Sequence, residues 1–67
     1  MSLGELIASR GSTITEIAER MEVEKTQVMA WVCGEVPGVL FVLRLAGALG
    51  IPIKMVYAAI LHTPKLI

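Results

Sequence analysis

The sequence predicts an all-α fold, in which five short helices form one compact domain of 67 residues. Two Ser/Thr-x-x-Glu capping boxes mark helix starts, apolar residues recur at helical spacing, and glycines or prolines interrupt that spacing at short intervals. No alternating strand pattern persists along the chain. Helices this short, joined by connections of about two to four residues, favour a compact bundle over a long hairpin.

The first two helices each begin with a capping box. Ser2 with Glu5 starts the first, and Gly11 is expected to end it. Thr13 with Glu16 starts the second. The apolar positions of the first helix are Leu3, Leu6 and Ile7, and the inward stripe of the second is Ile17, Ala18 and Met21.

The third helix is predicted to run from about Lys25 to Val32 or Cys33, after the break in the pattern at residues 22–24, and to end at Gly34. The side that it turns inward contains Val28, Trp31 and Val32.

The fourth helix is predicted over residues 39–49, between Pro37-Gly38 and the terminator Gly50. Its expected core stripe is Val39, Val42, Leu43, Ala46 and Leu49. A fifth helix follows Pro52 and ends at Thr63-Pro64. It contains the apolar residues Met55, Val56, Ala59 and Ile60.

Composition predicts that the domain has a partner. Hydrophobic residues make up 55% of the chain before its six glycines are counted, whereas about 45–50% is usual with glycine included. Because so small a domain cannot bury this much apolar surface, we expect a partner to cover part of it, most simply a second copy.

Charge argues against a nucleic-acid binder, since six basic and six acidic residues cancel and affinity for phosphates usually depends on a basic face. A dimer needs only a few well-placed cations and helix N-termini in each half-site, so DNA binding stays open.

Several classes of function are not expected. One cysteine, Cys33, and one histidine, His62, allow neither a disulfide framework nor a Cys/His zinc site, and no catalytic constellation, cofactor motif or metal site is present. The N-terminus lacks the pattern of a signal peptide, so the cytoplasm is the default location. A membrane span over residues 36–53 is disfavoured, because Arg44 lies near its middle and turn residues break it into two helices.

Residues 13–34 predict two helices that cross steeply. Such a joint needs a small residue where the helices touch, an apolar plug in the turn and an inward stripe on the second helix. The small residue is Ala18, and the apolar plug is Val23. The inward stripe is formed by Val28 and Trp31.

The run GSTITEIAERMEVEKTQV, residues 11–28, together with the run from Pro37 to Pro52, resembles the Cro/repressor (Xre-type) helix-turn-helix family. The resemblance extends from about Leu3 to Ile60. It implies a five-helix lambda-repressor-like DNA-binding domain, with the helix-turn-helix at about residues 13–33 and helices four and five at about residues 38–61.

The resemblance also implies which residues meet DNA. Lys25 to Ala30 would form the first two turns of the recognition helix in the major groove of double-stranded DNA. Lys, Thr and Gln side chains suit base edges or phosphates, whereas Met and Ala offer apolar contacts. The implied DNA-binding residues are Thr13, Thr15, Lys25, Thr26, Gln27, Met29 and Ala30. A solvated helix start is the alternative interpretation of residues 25–27.

Relatives in this family commonly form dimers through the fifth helix and the turn before it. The matching residues are Ile51, Pro52, Met55, Tyr57, Ile60 and Leu61, and Leu40 with Phe41 forms a second candidate patch for a protein partner. The alternative is that these residues are ordinary core with some tolerated exposure.

Departures from the family pattern replace polar residues with apolar ones. Ile14 stands where relatives commonly have Gln, and Ile7 and Val32 stand where they have an internal Arg–Glu pair; the loop at residues 34–37 is one residue shorter and lacks the usual basic side chain. The leading hypothesis is a dimeric, sequence-specific DNA-binding regulator. The second is a protein-interaction or assembly module of the same fold, which neutral charge and the acidic cluster Glu16, Glu19, Glu22 and Glu24 favour.

Overall fold

Five α-helices follow one another along residues 1–65, the part of the chain that the computed structural model describes. They are α1 (Leu3–Ser9), α2 (Ile14–Met21), α3 (Lys25–Val32), α4 (Val39–Leu49) and α5 (Ile53–Leu61). No β-strand occurs within residues 1–65. The radius of gyration is 10.3 Å, close to the ~11 Å expected for a compact chain of this length. The prediction of a compact all-α fold with five helices is confirmed.

Both predicted capping boxes are formed. The Ser2 hydroxyl accepts the Glu5 N–H at 3.3 Å, and the Glu5 carboxylate accepts the Ser2 N–H at 2.8 Å. At α2 the corresponding Thr13–Glu16 distances are 3.2 and 3.1 Å. Each box satisfies two amides that a helix start would otherwise leave unpaired.

The turn between α2 and α3 is built on a left-handed residue, Glu22, with φ 57° and ψ 43°. Its N–H donates to the Glu19 carbonyl at 3.2 Å, and the next N–H, that of Val23, donates to the Ala18 carbonyl at 3.0 Å. These two bonds form a Schellman motif, which ends α2 within one residue. The turn leaves Val23 packed against the core.

The core lies between all five helices. Trp31 and Val28 of α3 are 2% and 0% exposed, and Ala18 of α2 is buried beside them in the same cluster. α2 packs mainly on α3 and α4, whereas α5 packs mainly on α4 and α1. The buried apolar residues are Leu3, Leu6, Ile7, Ile17, Ala18, Met21, Val28, Trp31, Val42, Leu45, Ala46, Leu49, Val56 and Ala59.

The predicted core stripe of α4 is partly wrong. Val39 and Leu43 are 66% and 45% exposed, and Leu45, which the prediction omitted, is fully buried. α4 is apolar around most of its circumference, so spacing alone does not select one face. The packing of α2 and α5 against α4 determines which face of α4 is buried. In α5, likewise, Met55 is exposed while Val56 and Ala59 are buried.

Arginine side chains connect the ends of different helices. Arg10 Nε donates to the Leu49 carbonyl at 3.3 Å, and an Arg20 guanidinium nitrogen donates to the Ala48 carbonyl at 3.1 Å. Arg44 of α4 donates in turn to the Met21 carbonyl at the end of α2. Because the last carbonyls of a helix lack partners and carry partial negative charge, these bonds act as C-terminal caps supplied from other helices.

No single helix within residues 1–65 is long and apolar enough to cross a membrane. α4 and α5 together have the necessary length and composition, but the chain bends by 113° between them.

We expect Glu22→Gly to raise stability by about 1 kcal/mol, because glycine adopts the left-handed conformation without the steric cost of a Cβ atom. In a domain of this size the thermal midpoint would rise by about 4–8 °C. Thermal unfolding followed by circular dichroism measures it. Glu22→Ala is the matched control, since it removes the carboxylate but keeps Cβ, and an equal gain in both variants would contradict the strain argument.

Hydrogen bonds from the Ser2 backbone N–H and hydroxyl lower the pKa of the exposed Glu5 carboxyl. A carboxyl whose pKa is depressed on folding stabilises the fold at neutral pH, and this contribution disappears as pH falls through the lowered pKa. Glu5→Gln should therefore melt below the parent at pH 7, with the difference vanishing in acid. In an NMR titration Ser2→Ala should move the pKa of Glu5 upward, and an unchanged titration would contradict the capping-box explanation.

Candidate nucleic-acid interface

One face of α3 points away from the core over its first two turns. At about 100° per residue, Lys25, Thr26, Met29 and Ala30 share a face within about 140° of arc. The first three are exposed and Ala30 is half-buried. Gln27 is also half-buried and lies on the flank of this arc. Four of the five predicted recognition residues in α3 are thus grouped together, with Gln27 at the margin.

The inward side of α3 holds this face in place. Val28 and Trp31 occupy the opposite side of the helix and are buried. The Phe41 ring of α4 lies 5.3 Å from the Trp31 ring, tilted by 46°, which is a favourable aromatic geometry. The outward orientation of the first turns of α3 therefore depends on well-packed core contacts.

The starts of α2 and α3 differ in how their amides are satisfied. Thr13 and Thr15, the two predicted DNA-binding residues outside α3, are exposed at the start of α2. The Thr13 hydroxyl already accepts the Glu16 N–H, and the Glu16 carboxylate lies at the same helix end. At α3 the N-cap residue, Glu24, makes no side-chain capping bond. The Gln27 N–H donates to the Glu24 carbonyl at 3.0 Å. The start of α3, unlike that of α2, therefore has no side-chain oxygen on its first amides.

Electrostatics around α3 are acidic. Residues 13–33 contain four glutamates, one arginine and one lysine, so their formal net charge is −2. All three arginines of the chain donate to main-chain carbonyls at helix ends. Lys25 is consequently the main cation available on the α3 face. Sequence reasoning missed the capping role of the arginines, because it depends on which helix ends meet in the fold.

The far end of α3 borders an open groove of about 520 Å³. Its lining residues are Ala30, Cys33, Gly34, Glu35, Val36 and Lys65. Gly34 has φ 108°, and a Cβ atom there would lie 2.5 Å from the Cα of Lys65. Only glycine allows the backbone after α5 to pass this close to the end of α3.

Three helical positions at which the residues differ from the Cro/repressor pattern lie in or against the core. Ile7 is buried, and Ile14 and Val32 are half-buried and packed against the core. A Cβ on Gly4 would lie only 3.2 Å from a methyl carbon of Val32. Ile7 and Val32, which the resemblance matches to an internal ion pair, are thus both apolar and packed in the core region, and hydrophobic replacement of such a pair is often neutral or stabilising.

The predicted dimer surface is mostly exposed and apolar. Met55, Tyr57 and Leu61 are 45%, 42% and 84% exposed, and Pro52 is exposed at the start of α5. The other two predicted residues, Ile51 and Ile60, are half-buried against the core. Sequence reasoning omitted exposed Met1 and Ile53. Met1 joins this surface in a groove of about 150 Å³, lined by Met1, Leu6, Met55, Ala58, Ala59 and His62. No periodic signal marked Met1, because it precedes the first helix.

The second predicted patch separates into two residues with different environments. Leu40 is 72% exposed. Phe41, the next residue, is half-buried and packs on Trp31. Leu40 is accompanied by other exposed apolar side chains of α4 rather than by Phe41.

Within residues 1–65, no three His, Cys, Asp or Glu side chains come together as a metal site. Comparison of the chain with protein-family models, with curated proteins and with solved structures finds no match. Membership of the Cro/repressor family therefore stays a prediction from the residues.

Proposed function

We propose that this chain is a lambda-repressor-like, sequence-specific DNA-binding regulator that acts as a dimer. In this proposal α2 and α3 form the helix-turn-helix, and the first two turns of α3 enter the major groove. The observation that carries the proposal is the outward α3 face of Lys25, Thr26 and Met29 opposite the buried pair Val28 and Trp31.

The side chains of this face suit groove recognition. Lys25 offers donors to a guanine edge or a phosphate, and Gln27 can pair with the donor and acceptor of adenine. Thr26 suits a phosphate, and Met29 suits the methyl group of thymine. The uncapped amides of the α3 start add a phosphate-binding element that does not depend on basic side chains.

Dimerisation through α5 is compatible with this binding mode. α5 packs mainly on α4 and α1, so a partner on its exposed side leaves α3 uncovered. The domain measures 26 × 24 × 23 Å, and two such bodies side by side can present their α3 helices about 34 Å apart, one turn of DNA.

A second candidate function is a protein-assembly module that keeps this fold but does not bind DNA. The observation that favours it is the use of all three arginines as helix caps, because this leaves an acidic helix pair with little positive charge for phosphates. In this alternative the exposed apolar side chains of α4 and α5 are the docking surfaces.

Selection from a random duplex pool should yield a preferred site, and Lys25→Ala and Gln27→Ala should each weaken binding to it by about tenfold or more, the loss expected for one base-reading contact. Fluorescence anisotropy with a labelled duplex measures this. Lys54→Ala, which removes a lysine from α5, is the matched control and should bind as the parent does.

Salt dependence separates the two candidate functions. A dimer that uses one Lys25 per half-site should lose affinity with a slope near −2 in log K against log salt, at about −0.9 per neutralised phosphate. Lys25→Ala should reduce this slope. No binding to any duplex at low salt would overturn the regulator proposal and support the assembly module.

Leu61→Glu should weaken the proposed dimer, because it places a charge on the most exposed apolar residue of α5. Sedimentation equilibrium should show a shift toward monomer, and binding to a two-half-site duplex should weaken while the helical circular dichroism spectrum is kept. Met29→Glu gives the opposite pattern, loss of DNA binding with unchanged self-association. Identical association of Leu61→Glu and the parent would exclude α5 as the interface.

A further inference from the structure

α4 presents a second exposed apolar surface, distinct from the α5 surface. Val39, Leu40 and Leu43 are 66%, 72% and 45% exposed. Gly47 lies one turn beyond Leu43 and is also exposed. At about 100° per residue these four residues fall within about 100° of arc on the outer side of the helix. They are named the α4 patch.

The α4 patch contains no charge. Arg44 is the nearest charged residue in the helix, but its guanidinium donates to the Met21 carbonyl at the end of α2. Its positive charge is therefore held toward α2. The formal charge of the whole chain is also zero, so two copies that approach each other meet no net repulsion.

The size pattern along the α4 patch is self-complementary. Its first half carries the large side chains Val39 and Leu40, and its second half carries Gly47, where an added Cβ would meet nothing within 4 Å. When a second copy is placed by a two-fold rotation about an axis at Leu43, the two α4 helices run antiparallel. Residue 39 of each copy then lies opposite residue 47 of the other. The bulky end of each helix then lies over the bare backbone of the other.

We propose that the α4 patch is a self-association surface, on which α4 packs antiparallel against α4 of a second copy about a two-fold axis near Leu43. The interface is isologous, since the same residues are used on both sides. The i, i+4 ridge of Val39, Leu43 and Gly47 supplies the ridges and grooves by which helices interdigitate, and glycine at one end permits close approach.

The extent of the α4 patch sets the strength of this contact. A stable interface buries about 800 Å² on each partner, which is more than four residues on one short helix can supply. The contact is therefore weak and depends on concentration. It does not require DNA binding, and together with the α5 surface it gives each copy two isologous faces, from which closed tetramers or extended chains can form.

Disulfide trapping tests the geometry. In a Cys33→Ser background, Leu43→Cys places one thiol at the proposed axis, where two copies bring their Cβ atoms within reach of each other. Mild oxidation should give the cross-linked dimer about tenfold faster than Glu19→Cys, an exposed control position on α2, as expected when only one pair meets disulfide geometry. The cross-link should persist when Leu61→Glu is added and disappear when Leu40→Glu is added.

Gly47→Leu separates packing from folding. Because the space at Gly47 is open and glycine is unfavourable inside a helix, this variant should melt at or above the parent temperature. It should nevertheless slow cross-linking at position 43 to the control rate, since the added side chain blocks close approach.

Three results would overturn the proposal. One is cross-linking of Leu43→Cys at the rate of Glu19→Cys, and another is cross-linking that Leu40→Glu and Gly47→Leu leave unchanged. The third is binding of the parent to phosphatidylcholine vesicles that Leu40→Glu abolishes, without cross-linking in solution, which would assign the α4 patch to a lipid surface instead.

Discussion

The direction of α3 depends on a tight turn held by two main-chain hydrogen bonds. Glu22 takes the left-handed conformation, and the N–H of Val23 returns to the Ala18 carbonyl, so α2 ends abruptly. Ala18 is small enough to lie buried where α3 passes, and Trp31 fills the space beneath α3. If this turn were a continuous helix, the outward face of Lys25 and Thr26 would not exist. The candidate interface is therefore a consequence of backbone geometry as much as of side-chain chemistry.

The arginines of this chain join helices, and its two capping boxes fix helix starts. Side chains cap the starts of α1 and α2, and guanidinium groups cap the ends of α2 and α4. This arrangement leaves no arginine over for contacts with a partner, and the remaining cations of residues 1–65 are lysines. Binding that relied on attraction to phosphates alone would be weak. The domain instead offers shape, apolar side chains and main-chain amides for binding.

The sequence predicted the helix boundaries well because local signals determine them. Capping boxes at Ser2 and Thr13 and a left-handed glycine, Gly50, act over a few residues and do not need the rest of the fold. The inward face of α4 could not be predicted in this way. Its sequence is apolar around most of the helix, so Leu45 rather than Leu43 became core only through contact with neighbouring helices.

In the candidate site, too, some features could be predicted from local sequence and others could not. The exposure of Lys25 and Thr26 followed from the spacing of Val28 and Trp31, which a helical pattern reveals. The separation of Leu40 from Phe41 depends on the packing of Phe41 against Trp31, and the half-burial of Gln27 likewise depends on the folded chain. These side-chain environments depend on tertiary contacts, so the local sequence does not determine them.

The guanidinium bonds between helix ends have a consequence for how the domain would come apart. Arginine keeps its charge at every pH that a protein survives, whereas a carboxylate is neutralised in acid. The joint where Arg44 reaches Met21 and Arg20 reaches Ala48 is therefore indifferent to acid, while the bond between the Glu5 carboxylate and the Ser2 N–H at the beginning of α1 is not. Acidification should fray the beginning of α1 first and leave the middle of the bundle, where α2 meets α4, as the last region to lose its order.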